Sequence, residues 1–126
     1  MKMLCLMLTA LLLPVSLAHA GGDIQAGKAA FARCASCHQV GPSARAGFGP
    51  QLNGIVGRRA GSTPDFNYSD ALKGSGIVWS EQSLAAFIKD PGKTVPGNKM
   101  RFYGMGNDKQ IADLLAYLRQ YPQVAP

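Results

Sequence analysis

Two cysteines and a histidine lie within five positions of one another, in the run Cys34-Ala-Ser-Cys37-His38. Residues i, i+3 and i+4 share one face of a helical turn, so we expect both thiols and the imidazole to converge. The spacing Cys-x-x-Cys-His is typical of haem attached through two thioether bonds, with the imidazole bound to the iron. The motif therefore predicts one covalent haem c at Cys34 and Cys37, with His38 as a metal ligand.

Three other kinds of site use neighbouring cysteines. A thioredoxin-like redox pair belongs to a βαβ unit, and no strand pattern is present here. A zinc site needs four ligands, whereas residues 21–126 contain only three cysteines or histidines. A plain disulfide between Cys34 and Cys37 is possible, but it would leave the long loops of the chain unexplained.

The second ligand of the iron cannot be another histidine of residues 21–126, because His38 is the only one there. The candidates are Met100, Met105, a lysine, a tyrosine or water. Met105 is interpreted as a residue that fills the core. Met100 lies between Lys99 and Arg101 in a loop with Pro and Gly, which is a poor setting for a core residue, so we predict that its sulfur binds the iron. Methionine opposite histidine raises the reduction potential.

Three stretches have the hydrophobic period of a helix, and Asp23, Ser80 and Asn107 are their predicted N-caps. Their apolar positions are Ile24, Gly27 and Phe31, then Leu84, Phe87 and Ile88, and then Ile111, Leu114, Leu115 and Leu118. Residues 69–73 indicate one further short turn of helix, and Pro91 is expected to end the second main helix.

The intervening segments 39–66 and 91–106 are rich in Gly and Pro and lack the alternation of a strand. We therefore predict an all-α domain with three main helices and unusually long loops. Long loops in a compact domain indicate a non-protein group for them to enclose, and a buried haem would be such a group.

Residues 1–20 have the features of a cleaved secretory signal peptide. Lys2 precedes an apolar run over 4–17, and Ala18-His19-Ala20 places small residues where a signal peptidase cuts. The run is too short for a membrane anchor and contains Pro14. The expected organisation is thus a leader, 1–20, and one domain, 21–126, in the periplasm without stable membrane insertion.

The full chain has 126 residues, of which 47% are hydrophobic and 16% charged, and its net charge is +6. This length and apolar fraction indicate one folded domain and exclude a disordered tail. The positive net charge is not concentrated in a basic run, and an exported protein does not meet nucleic acid, so we expect no nucleic-acid partner.

The chain resembles class I cytochromes c over nearly all of residues 22–121. The matching motifs are Gly27 and Phe31, Cys34-x-x-Cys37-His38, Phe48-Gly49-Pro50-x-Leu52-x-Gly54, Gly57-Arg58-x-x-Gly61, Phe66-x-Tyr68-Ser69-x-Ala71, Gly76-Ile77-x-Trp79, Pro96-Gly97-x-Lys99-Met100-x-Phe102-x-Gly104 and Leu114-x-Ala116-Tyr117-Leu118. The resemblance implies the small all-α cytochrome c fold, in which loops wrap one covalent haem.

The resemblance also implies roles for single residues. The carbonyl of Pro50 would accept the second ring N–H of His38, and Arg58, Tyr68 and Trp79 would hydrogen-bond a buried haem propionate. Gly27 and Phe31 would pack against Leu114 and Tyr117 where the terminal helices cross. Two departures, Phe87 in place of a common tyrosine and Leu72 in place of a common asparagine, predict a drier distal side.

By position in the family, Arg33, Lys93 and Lys99 would steer docking to membrane or soluble redox proteins with acidic surfaces. The expected function is that of a monomeric one-electron carrier of the periplasm, which shuttles electrons between redox complexes and is not an enzyme. Alternatives are a peroxidase-like haem enzyme, a redox subunit dedicated to one dehydrogenase, and a gas-binding or redox-sensing protein. A peroxidase needs an open distal site with polar catalytic groups, and no distal histidine is available.

Overall fold

The computed structural model describes residues 21–123 and contains five helices in that range. They are α1 (Ile24–Phe31), α2 (Asp70–Lys73), α3 (Glu81–Lys89), α4 (Pro91–Thr94) and α5 (Asp108–Leu118). The only strand-like pairing among these residues is an isolated antiparallel bridge between Arg59 and Val78. The all-α prediction is confirmed. The predicted leader, residues 1–20, lies outside the described residues.

The predicted N-caps are found at the three main helices. The side chain of Asp23 accepts from the Ala26 amide, Ser80 from the Ser83 amide, and Asn107 from the Gln110 amide. Each bond satisfies one of the free N–H groups at the start of a helix. Ser69 caps the predicted short helix α2 in the same way.

Two details of the sequence-based prediction are wrong. Pro91 ends α3 as expected, but it also begins α4 inside a segment predicted to be a loop, because Asp90 caps the new helix and Pro suits a first helical position. Ile24 is 40% exposed, so the buried face of α1 consists of Gly27, Ala30 and Phe31 instead.

The helices α1 and α5 cross at Gly27. A Cβ on Gly27 would lie 1.9 Å from the carbonyl oxygen of Asp113, so only glycine lets the two backbones approach this closely. The ring of Phe31 packs on Tyr117 with centroids 5.4 Å apart. This crossing of the terminal helices agrees with the one that the family resemblance implies.

One face of α5 supplies much of the core, with Ile111, Leu114, Leu115 and Leu118 all buried. Met105 is 1% exposed and belongs to the same core cluster, as expected for a residue that fills space. Among residues 21–123, no helix is long and apolar enough to cross a membrane. The loops between the helices lie around one large cavity, which contains the candidate site.

Candidate functional site

The segment after α1 continues as a helical turn and carries the three residues of the motif. The amide of Cys37 donates to the Cys34 carbonyl over 3.1 Å, and the amide of His38 donates to the same oxygen over 2.9 Å. Cys34, Cys37 and His38 all line the cavity, whose volume is about 780 Å³. The turn therefore presents both thiols and the imidazole to the same space.

The two cysteines are free and are not joined in a disulfide. Burial raises the pKa of the Cys34 thiol, which disfavours the thiolate that zinc binding or thiol exchange would need. Among residues 21–123, no three His, Cys, Asp or Glu side chains are grouped so that they could hold a metal ion. Neither a zinc site nor a reactive thiol pair finds support in this geometry.

The imidazole of His38 is held by a hydrogen bond to the carbonyl of Pro50. The Nδ1 atom of His38 lies 2.8 Å from the oxygen of Pro50. A carbonyl only accepts, so Nδ1 must carry the proton, and the neutral ring keeps the lone pair of Nε2. Burial lowers the pKa of His38, although the bond to Pro50 acts in the opposite direction. The lowered pKa further favours the neutral ring. Such a ring has the protonation state of a metal ligand.

Sequence reasoning did not single out Gly49 as part of the site, although it precedes Pro50 in the motif Phe48-Gly49-Pro50. A Cβ at this position would lie 2.6 Å from Cε1 and 2.8 Å from Nδ1 of His38. The ring therefore lies against the backbone of Gly49, and only the lack of a side chain leaves room for it.

Arg58 is buried at the edge of the cavity, at 7% exposure. Its guanidinium donates to the carbonyls of Asn53 and Gln51 over 3.1 and 2.8 Å. Within the described part of the chain it forms no ion pair, and desolvation lowers its pKa. A buried cation without an anion is costly, so this position fits a carboxylate of a bound group.

Tyr68 and Trp79 flank Arg58 and are 6% and 5% exposed. The hydroxyl of Tyr68 hydrogen-bonds Thr63, and the backbone amide of Trp79 donates to the Arg58 carbonyl over 2.9 Å. Both residues line the cavity together with Arg58. Sequence reasoning missed the partners Gln51, Asn53 and Thr63, since polar residues in loops carry no signal that distinguishes them.

Met100 is partly buried, packs against the core cluster and lines the cavity. Its amide donates over 2.9 Å to the side chain of Asn98, which in turn donates to the carbonyls of Pro91 and Val95. Met105, the other methionine of the described residues, does not line the cavity. Leu72 and Phe87 do line the cavity, and both side chains are apolar.

The three predicted docking cations are placed differently. Arg33 and Lys99 line the cavity, and each lies over an aromatic ring, Phe102 for Arg33 and Phe66 for Lys99. Lys93 is exposed on α4 and does not line the cavity. The structure thus brings ten of the eleven predicted site residues to one cavity.

A family model described as Cytochrome c matches residues 24–122. The chain belongs to the cytochrome c family. Cytochrome c2 of Agrobacterium tumefaciens (strain II Chrys) is 49% identical over 100 residues, which are 77% of this chain and 90% of that protein. Cytochrome c-550 of Nitrobacter winogradskyi is 46% identical over 100 residues, covering 79% of this chain and 92% of that protein.

Two solved structures of cytochromes c are similar in fold to this chain. Cytochrome cH from Methylobacterium extorquens superimposes with a TM-score of 0.74 at 43% identity, covering 79% of this chain and 99% of that one. Cytochrome c2 from Rhodospirillum centenum gives a TM-score of 0.77 at 31% identity, with 81% of this chain and 100% of that one covered. The cytochrome c fold and the family resemblance are both confirmed, and the cofactor is covalently attached haem c. As a cytochrome c, the chain is an electron carrier.

Proposed function

We propose that this cytochrome c is a periplasmic one-electron carrier whose haem is attached to Cys34 and Cys37 and held by His38 and Met100. When bound, the haem supplies an iron that exchanges one electron between the ferric and ferrous states. The protein's part would be to keep His38 and Met100 in place, so that the exchange needs little rearrangement. No substrate is transformed.

The observation that carries the proposal is the hydrogen bond from His38 to Pro50. It holds the ring in one orientation and leaves the lone pair of Nε2 free, so that Nε2 could bind a metal. Met100 lines the same cavity as His38. A thioether is a soft donor suited to haem iron, and together with a histidine ligand it would favour the ferrous form.

Arg58, Tyr68 and Trp79 are proposed to hold a haem propionate. The buried guanidinium of Arg58 forms no ion pair with residues 21–123, which supports this role, because a carboxylate beside it would offset the cost of burying both charges. The hydroxyl of Tyr68 and the indole N–H of Trp79 are further donors at the same cavity.

Arg33, Lys93 and Lys99 are proposed to steer docking to acidic redox partners, with the protein acting as a monomer. Long-range attraction between unlike charges raises the association rate. Export requires the leader, so the protein recovered from the periplasm is expected to begin at Gly21. The intact mass of that protein, with one haem attached, tests the cleavage site directly.

Carbon monoxide tests the ligand set. The reduced wild-type protein should show no spectral change with the gas, because Met100 occupies the position where it would bind. Replacing Met100→Ala should open that position and lower the reduction potential. Met105→Leu is the matched control, since its side chain lies in the core and not at the cavity. A Met100→Ala protein that keeps the wild-type potential and stays closed to carbon monoxide would mean that another residue binds the iron.

A further inference from the structure

The segment that carries Met100 has little backbone support of its own. Among residues 21–123, no backbone–backbone hydrogen bond involves residues 99–104. The amide of Met105 donates to the Ile88 carbonyl over 2.9 Å at one end, and Asn98 donates to Pro91 and Val95 at the other. Between these anchors, side chains must hold the segment in place.

The side chain of Asn98 accepts from the Met100 amide, and two contacts between a cation and an aromatic ring supply further support. The Cζ atom of Arg33 lies 5.4 Å from the centroid of the Phe102 ring. The Nζ atom of Lys99 lies 5.4 Å from the centroid of the Phe66 ring. Both distances are within the range in which a cation is attracted to the face of a ring.

The two contacts join the Met100 segment to different parts of the chain. Arg33 directly precedes Cys34, so its contact with Phe102 ties the segment to the haem-attachment turn. Phe66 belongs to the long loop before α2, so its contact with Lys99 ties the segment to that loop. Met100 lies between the two points of attachment, one residue after Lys99 and two before Phe102.

We propose that Arg33 and Phe66 are positioning residues for Met100. Through their contacts with Phe102 and Lys99 they clasp residues 99–102 to the rest of the cavity lining and slow the departure of the thioether from the iron. The proposal rests on the ligand role of Met100 in the proposed function. It gives Arg33 and Lys99 a second role besides docking, which their charge alone would not indicate.

The rate at which imidazole displaces the methionine from the ferric holoprotein measures this clasp, since Met100 must leave before imidazole binds. Each of Arg33→Gln and Lys99→Gln should raise that rate about two- to five-fold, as expected for one exposed cation–ring contact. The double variant should raise it roughly by the product, because the two contacts share no residue. Arg33→Lys keeps a cation and should restore most of the wild-type rate.

Lys28→Gln is the matched control, because it removes one exposed positive charge from α1 at a residue that does not line the cavity. Its imidazole rate should equal that of the wild type, and thermal unfolding should show that all these variants are folded. Phe66→Leu should act like Lys99→Gln, although Phe66 also contacts Tyr68 with centroids 4.9 Å apart. Lys99→Gln leaves that aromatic contact in place and so separates the two effects.

Met100→Ala distinguishes the possible failures. If it binds imidazole much faster than the wild type while Arg33→Gln, Lys99→Gln and their double variant do not, the clasp is wrong and the ligand assignment stands. If Met100→Ala itself binds imidazole at the wild-type rate, both the ligand assignment and the clasp are overturned. Equal acceleration by Lys28→Gln would mean that net charge, and not contact with a ring, sets the rate.

Discussion

The Nδ1 atom of His38 lies 2.8 Å from the carbonyl oxygen of Pro50, twelve residues later in the chain. Gly49, which directly precedes Pro50, has no side chain to push the ring away. The hydrogen bond and the missing Cβ act together: one orients the imidazole, and the other provides the space in which that orientation is possible. The orientation of the proposed ligand is thus set by backbone atoms.

A methyl group at residue 49 should disturb this arrangement. In Gly49→Ala the new Cβ would lie 2.6 Å from Cε1 of His38, so the ring must move and its bond to Pro50 must weaken. We expect a loss of about 1–3 kcal/mol in the free energy of unfolding, as for other overpacked sites. Urea unfolding measures the loss, and NMR should show faster exchange of the Nδ1 proton of His38.

Gly47→Ala is the control for this substitution. A Cβ at Gly47 would lie 3.8 Å from the nearest atom, the carbonyl oxygen of Cys37, which is an ordinary contact. Both variants reduce the freedom of the unfolded chain to the same extent, so their difference reports the folded state. Equal stabilities for the two variants would contradict the close packing of Gly49 on the ring.

Asp113 should make the stability of the protein depend on pH. It is 4% exposed, and its carboxylate accepts from Lys109 Nζ over 2.8 Å and from the Asp23 amide over 2.7 Å. The bond from Lys109, followed by that from Asp23, lowers the pKa of Asp113. Because the folded pKa lies below the unfolded one, the stabilisation is present above the unfolded pKa and is lost as pH falls through the folded value.

Asp113→Asn should therefore unfold at lower urea than the wild type at pH 7, and the difference should shrink as the wild-type carboxylate becomes protonated in acid. Urea unfolding at several pH values measures this. Asp70→Asn is the control, because Asp70 pairs with Lys73 on the surface with its side chain fully exposed, where an ion pair contributes little. A gap between Asp113→Asn and wild type that persists unchanged in acid would refute the linkage.

The docking role of the cations predicts a dependence on ionic strength. Oxidation of the ferrous protein by hexacyanoferrate(III), an anion, should slow as salt is added, because exposed charges are screened. Lys93→Gln and Lys99→Gln should each reduce the rate at low salt and flatten its salt dependence. Lys28→Gln should have a smaller effect on the rate and on its salt dependence. If the wild-type rate stayed constant across the salt range, steering would be ruled out. Stopped-flow mixing provides the measurement.

Features of the site that depend on neighbours along the chain could be predicted. The convergence of Cys34, Cys37 and His38 follows from one helical turn, and the caps Asp23, Ser80 and Asn107 bond to amides three residues later. These contacts form within a few residues whatever the rest of the chain does. Helix α4 was missed because Gly and Pro in residues 91–106 favoured a loop, whereas Asp90 and Pro91 start a short helix.

The family resemblance extended the prediction to contacts that local rules do not reach, such as that of His38 with Pro50. Other distant contacts had no counterpart in the sequence pattern. The bonds of Arg58 to Gln51 and Asn53 depend on how a loop without regular structure folds back on itself. Since many loop conformations satisfy the same Gly and Pro positions, the pattern does not select one.

By itself, the sequence determined the attachment motif, the order of the main helices and the candidate ligands, since each depends on spacing over a few residues. Only the tertiary structure decided how those pieces meet. It placed Asp113 against the Asp23 amide, 90 positions away, and laid Arg33 and Lys99 over the rings of Phe102 and Phe66. Such contacts form only when chain closure brings distant segments together, so their energy depends on the whole fold and not on any local pattern.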